Sequence, residues 1–326
     1  MSERLNANAT IRVLAHDLGL PSKVRPVQQI THFCEQRIGR WLAELPGKHD
    51  ATAILDIAAA KLSTTIIEVH TEAELIALQQ RYVSQGEAGF AFLKSDFDAG
   101  VLGITLRLLR RKAFEPMFVS VINCIGRNCE RAYFTKWHEL VHLLTLTDQT
   151  RLVFKRTHVD CSQKDPEEAL VDIVAGALAY HPKLLKHYAQ KRLSFALVDE
   201  IREKVFSVSS RQAALLGITH QWPKPCVLLR IELAGKHNST SRELRAVTAR
   251  PNPAAIDEGV IVIPKFRVPQ NSVIWSAFHR GTLVTADIQE PLELWTSSDG
   301  SQWSGGNFHV DIQRGNENMQ VLLSKN

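Results

Sequence analysis

FTKWHELVHLL, residues Phe134 to Leu144, places two histidines four residues apart in an otherwise apolar run, with Glu139 directly after the first. On a helix, residues four apart share a face one turn apart, so His138 and His142 can aim imidazole nitrogens at one metal ion. Glu139 lies about 100° further round, where it reaches a water beside the metal rather than the metal itself. The competing reading is a buried helix whose histidines are satisfied by ordinary hydrogen bonds. Two imidazoles and one acid do not decide between these readings, because a catalytic zinc takes three protein ligands and keeps one position open.

The next helix supplies candidates for the third ligand. DPEEALVDIVAGALAY (165–180) reads as a long helix with Pro166 in its first turn. With Glu168 as ligand, Asp172 follows one turn later on the same face. There it can accept a hydrogen bond from the second nitrogen of a zinc-bound histidine and fix its tautomer. An acid on so apolar a helix needs a partner, since burying an unpaired carboxylate is costly. Glu167 is the alternative third ligand; one residue turns a side chain by about 100°, so only one of the two faces the metal. The compact pattern with a third histidine six residues after the second is excluded, because position 148 is Asp148.

Upstream, VQQITHFCEQRIGRWLAEL and ATAILDIAAAKL carry apolar residues at three- and four-residue spacing and predict helices. TTIIEVH (64–70) is β-branched and strand-like, and Thr71 with Glu74 has the spacing of a capping box that opens TEAELIALQQRYV. GFAFLKS, VLGITLRL and MFVSVIN predict three strands, the first two joined by DFDAG. The metal-motif helix is expected from about Cys129 or Glu130 to about Thr147, followed by a polar connection. SFALVDEIREKVF and SVSSRQAALLGI predict two helices with Val208 at their turn. That pair is helix–turn–helix-like, but without a clear recognition helix it reads as packing beneath the catalytic unit rather than as DNA contact. WPKP (222–225) marks a boundary, beyond which CVLLRIEL, GVIVIPKF, SVIWSAFHR, PLELW and MQVLL predict short strands.

With 326 residues, 44% hydrophobic and 22% charged, the chain has the composition of an ordinary globular protein of more than one domain. No apolar run approaches the roughly 18 residues of a membrane span, and the start has no secretory apolar core. Five cysteines at irregular spacing suit a reducing compartment, so a cytoplasmic protein without a membrane partner is expected. A net charge of +5 is too small to specify a nucleic-acid partner. RLLRRK (107–112) reads as a solvated turn, Cys124 and Cys129 as free thiols, and Trp275, Trp295 and Trp303 as core or rim aromatics.

In order and spacing these motifs resemble the ImmA/IrrE-type zinc metallopeptidases. There a strand ending in Asn precedes FTxAHELGH, and the following helix carries E-x-x-A-N/D-x-F-A-x-x-L. This chain has VSVIN (119–123), FTKWHELVH (134–142) and EALVDIVAGAL (168–178), within a resemblance covering about 64–222. It departs at Val141 where glycine is usual, at Trp137 for alanine, and at Val171 and Val174; none of these removes a ligand. The resemblance implies an α+β fold: a zincin-like domain, 63–190, whose small mixed sheet packs on the metal-motif helix and on the helix bearing the third ligand. Around it stand an N-terminal helical region (1–62), a helical segment (191–223) and a C-terminal β-rich domain (224–326) of sensing or partner-recognition character.

It further implies zinc held by His138, His142 and Glu168, with Glu139 as catalytic base of a narrow-specificity endopeptidase. The implied substrate is a helix–turn–helix repressor or an antitoxin, cut to switch on stress-response or mobile-element genes. MFVSVIN is then expected as the upper edge of the cleft, pairing with an extended substrate. The residue stabilising the oxyanion stays open among Tyr133, His158, Tyr180 and His181. A DNA-binding or partner-docking regulator that keeps zinc without turnover is the alternative, against which the retained Glu139 argues.

Overall fold

The computed structural model describes residues 2–44, 50–112, 114–147, 153–157, 165–235, 242–280, 288–296, 300–315 and 318–325. Two units divide the chain: Met1–His181 with Val205–Ser210, and Pro182–Lys204 with Arg211–Asn326. In the first, helices α1 (Ser2–Asn6), α2 (Ala9–Asp17), α3 (Pro26–Ala43) and α4 (Ala51–Lys61) precede β1 (Thr64–Val69) and α5 (Glu72–Ser84). There follow α6 (Leu93–Asp98), β2 (Val101–Arg107), β3 (Phe118–Asn123), α7 (Ala132–Leu144), β4 (Val153–Thr157) and α8 (Pro166–Ala179). The strands form one mixed sheet in the order β1-β3-β2-β4, with β1 parallel to β3 and the other neighbours antiparallel.

Helix α7 carries the metal motif and packs against β2, β3, β4 and α8. Eleven of its thirteen residues are buried, so it is a central helix covered on all sides, and its polar residues must find partners inside. Helix α8 opens on Asp165, whose side chain accepts from the Glu167 N–H at 2.7 Å, with Pro166 at its first position. Helices α2 and α3 lie against α8, completing the layer around the motif. The Thr71 cap forms as expected, accepting from Glu74 N–H at 3.2 Å; Glu74 Oε2 accepts from His70 N–H at 2.7 Å, one residue before the cap.

Four expectations for this unit need correction. GFAFLKS is not a strand: Ala88–Phe92 is a 3-10 turn leading into α6. Its buried residues Phe90, Leu93 and Phe97 recur at helical spacing, which a window ending at Ser95 concealed. MFVSVIN is not an edge of the sheet, because β3 is paired with β1 on one side and β2 on the other, and all six of its residues are buried. The sheet's edges are β1 and β4, and β4 lies in the stretch expected to be a polar connection. A 3-10 turn, Gly126–Arg131, also occupies the expected start of the motif helix.

In the second unit, α9 (Pro182–Leu185), α10 (Phe195–Val205) and α11 (Arg211–Gln221) lead to β5 (Cys226–Gly235) and β6 (Arg242–Pro251). Then come α12 (Pro253–Asp257), β7 (Phe266–Arg267), α13 (Val273–Arg280), β8 (Gln289–Pro291), β9 (Asn307–Arg314) and β10 (Asn318–Ser324). Its strands make an antiparallel sheet in the order β7-β6-β5-β10-β9-β8. Trp295 and Trp303 stack at 4.1 Å in its core, with Phe308, Val310 and Val321 around them. SVIWSAFHR forms α13 rather than a strand, with Ser272 Oγ accepting from Ile274 N–H at 3.0 Å and Ile274 and Ala277 turned inward. PLELW contributes only Pro291 to β8 before a 3-10 turn. No helix among the described residues is long and apolar enough to cross a membrane.

Candidate metal centre

Helices α7 and α8 bring His138, His142 and Glu168 together. His138 Nε2 lies 3.1 Å from Glu168 Oε2, His142 Nε2 lies 3.2 Å from Glu168 Oε1, and the two Nε2 atoms are 3.2 Å apart. Nitrogen and oxygen ligands at about 2.0–2.1 Å from a tetrahedral zinc are separated by about 3.3 Å, and each imidazole nitrogen stands at about that spacing from the other and from one oxygen of the Glu168 carboxylate. Two imidazoles and a carboxylate are also a donor set that zinc takes. The residues fit the ion. Burial alone would raise the Glu168 carboxyl, but hydrogen bonds and charge from His138 and His142 outweigh it and hold the group well below the usual carboxylate range.

The far nitrogens of both rings face carboxylates. His138 Nδ1 is 2.9 Å from Asp172 Oδ1, which selects the tautomer with the proton on Nδ1 and leaves the Nε2 lone pair for a metal. His142 Nδ1 is 3.8 Å from Glu167 Oε1, beyond hydrogen-bond reach, and has no hydrogen-bond partner among the described residues. Glu168 and not Glu167 therefore belongs to the ligand face, and the 100° between neighbouring helix positions turns Glu167 towards the Nδ1 side of His142 instead. A cavity of about 210 Å³ opens beside His142 and Glu167, lined on its apolar side by Ile11, Leu14, Leu146 and Phe154.

Glu139 is fully buried on the sheet side of α7. Its Oε2 accepts a hydrogen bond from Thr105 Oγ1 at 2.7 Å, and Thr105 Oγ1 lies 2.7 Å from Ser120 Oγ on the neighbouring strand. Its Oε1 has no hydrogen-bond partner among the described residues. Gly103 makes room for that oxygen: a Cβ at this position would stand 2.8 Å from Oε1 and 2.7 Å from Thr135 Cγ2. Burial pushes the Glu139 carboxyl up, against the opposing pull of His138, His142 and the Thr105 hydroxyl. Gly103, Thr105 and Ser120 escaped sequence reading; the one signal was a glycine and a threonine two residues apart on one face of a β-branched strand.

None of the described oxyanion candidates directs its polar atom to an open position. Tyr133 donates to Ala179 C=O, Tyr180 shares a hydrogen bond with Ser209, and His181 Nε2 lies 3.3 Å from Glu35 C=O. His158 lies outside the described residues. Val141, Trp137, Val171 and Val174, where the chain departs from the motif it resembles, are all fully buried between neighbouring elements. No protein-family model matches the chain, and no curated protein matches it. A metal-binding face of HExxH geometry, completed by a glutamate from the next helix, is what these residues make.

Proposed function

We propose that the chain is a zinc-dependent endopeptidase of ImmA/IrrE type and narrow specificity, acting on a helix–turn–helix repressor or an antitoxin. One observation carries this reading: a buried carboxylate, Glu139, with one oxygen unpartnered among the described residues, stands next to a three-ligand face of His138, His142 and Glu168. A structural metal site is closed by protein ligands and has no use for such an acid; a hydrolytic one does. Zinc held by these three residues would supply Lewis acidity for the scissile carbonyl and for water.

Glu139 then works as general base and acid, taking a proton from the attacking water and passing it to the leaving amine. Thr105 fixes one of its oxygens, so the other keeps a constant direction. Burial raises its proton affinity, the direction that helps a general base hold the proton it takes. Asp172 holds His138 in the ligating tautomer. With β3 interior, β4, the edge strand that packs on α7, pairs with an extended substrate backbone, and the cavity by Ile11, Leu14 and Phe154 takes one apolar side chain.

The test is to incubate the zinc-loaded protein with candidate substrates, first any short helix–turn–helix repressor whose gene adjoins its own, with and without chelator, and to read products by mass spectrometry. A single chelator-sensitive cut that Glu139→Gln abolishes is expected. An intact repressor under all conditions would leave a metal-binding regulator in place of a peptidase.

A further inference from the structure

The first unit contains a second convergence of metal-ligating side chains, away from the His138–His142–Glu168 face. The parallel register of β1 and β3 pairs Val69 with Asn123, and Cys124 N–H donates to Val69 C=O at 2.8 Å. Glu68, His70 and Cys124 are thereby fixed at one end of the sheet. Cys124 Sγ lies 3.5 Å from Glu68 Oε2, and His70 Nε2 lies 3.6 Å from the same oxygen. One ligand atom from each of the three lies within 4.8 Å of the others. Around a tetrahedral zinc, with sulfur at about 2.3 Å and nitrogen or oxygen at about 2.0–2.1 Å, ligand atoms are separated by about 3.3–3.6 Å. Two edges of the set already have that length, and His70, more than half exposed, can rotate to close the third.

We propose that Glu68, His70 and Cys124 form a second site, for a borderline-soft divalent cation of which zinc is the commonest, and that Lys136 is the internal cation this metal displaces. Thiol, imidazole and carboxylate together select such an ion over magnesium or calcium, which take oxygen ligands. Three protein ligands leave a coordination position open, and the exposed flank of His70 and Glu68 gives access. The ammonium of Lys136 already pairs with Glu68 Oε1 and holds its carboxyl below the usual range against burial. A cation is thus accommodated at this carboxylate, and the only question is which one.

Burial, aided by Glu68, pushes the Cys124 thiol up to about 12, so it keeps its proton at neutral pH. Metal binding breaks the S–H bond, forms the S–metal bond and releases that proton to solvent. This cost and the competition from Lys136 make the second site the weaker of the two. Lys136 lies two residues before His138 on α7, so occupancy of the second site also releases an anchor of the helix that holds the first. The inference does not depend on peptidase activity.

Titration of the full-length, metal-stripped protein with cobalt(II) tests it, because only a thiolate ligand gives a sulfur-to-cobalt charge-transfer band in the near ultraviolet. Two classes of site are expected, a tight one without the band and a weaker one with it. Cys124→Ser should remove the band and keep the tight site, Cys129→Ser should change neither, and His142→Ala should remove the tight site and keep the band. Lys136→Met should tighten the weaker class at least about tenfold, by removing a competing charge in contact with Glu68. The proposal is overturned by absence of the band in both the unmodified protein and Lys136→Met, or by a band that survives Cys124→Ser.

Discussion

Glu139 in the first unit and Glu290 in the second are both glutamates without exposed surface, and burial pushes both carboxyls up. They differ in what their oxygens touch. Glu290 Oε1 accepts from Trp295 Nε1 at 2.8 Å, Oε2 accepts from Val273 N–H at 3.1 Å, and the Ser272 hydroxyl adds a third bond. It ties β8, α13 and the tryptophan pair together, and every neighbour is a donor. Among the described residues Glu139 has one donor, Thr105, and its second oxygen is left against Gly103 without a partner. A satisfied buried carboxylate contributes to folding, whereas a half-satisfied one destabilises its own fold and is retained for what it does.

The comparison predicts opposite outcomes for paired variants. The largest effect is on the metal: His142→Ala should abolish tight zinc binding. Zinc at about a hundred times its dissociation constant should stabilise the unmodified protein by about 2.7 kcal/mol and leave this variant unchanged in a thermal melt. Glu139→Gln should keep the metal and lose about 10²–10⁴-fold in turnover, with no loss of melting temperature. A substantial drop in stability would mean that Glu139 is a structural residue like Glu290. Asp172→Ala should weaken zinc by about 10–100-fold in chelator competition, since His138 would lose the group that selects its tautomer. An unchanged affinity would detach Asp172 from the centre. Glu290→Gln should destabilise the folded chain by about 1–3 kcal/mol in denaturant titration, because an amide cannot accept at both ends.

What could be read from sequence follows the range of the interactions involved. His138, Glu139 and His142 were legible because one turn of helix fixes their relations, and Glu168 with Asp172 likewise. The choice between Glu168 and Glu167 needed the packing of α8 on α7. Gly103 and Thr105 were invisible as site residues, since their meaning comes from a helix that arrives later in the chain. GFAFLKS and SVIWSAFHR look strand-like because segments of seven to nine residues with two aromatics each are too short to separate the two periods, and only the direction of burial does so. Strands β6 and β9 were passed over for the opposite reason. In RELRAVTARP and NFHVDIQR polar residues alternate with buried Leu244, Ala246, Phe308 and Val310, a weak signal beside turn-forming neighbours. The interior place of β3 was hidden by Ser120 and Asn123, polar residues that the fold buries against partners.

The smallest expected effect bears most directly on why Glu290 differs from Glu139. Burial raises the Glu290 carboxyl above its value in the unfolded chain, so the folded protein binds that proton more tightly. Its contribution to stability is then fully present below the unfolded glutamate value of about 4.3 and is lost as the pH rises through the folded one. Glutamine does not titrate, and all other groups are shared by the two proteins, so the difference between them isolates this residue. The deficit of Glu290→Gln should therefore be widest in mild acid and narrow towards neutral pH, measured by denaturant titration across that range. A deficit that widened instead would mean that the donors from Trp295, Val273 and Ser272 outweigh burial. Glu290 would then be an ionised carboxylate held by its partners, closer in kind to Glu168 between its two histidines than to Glu139.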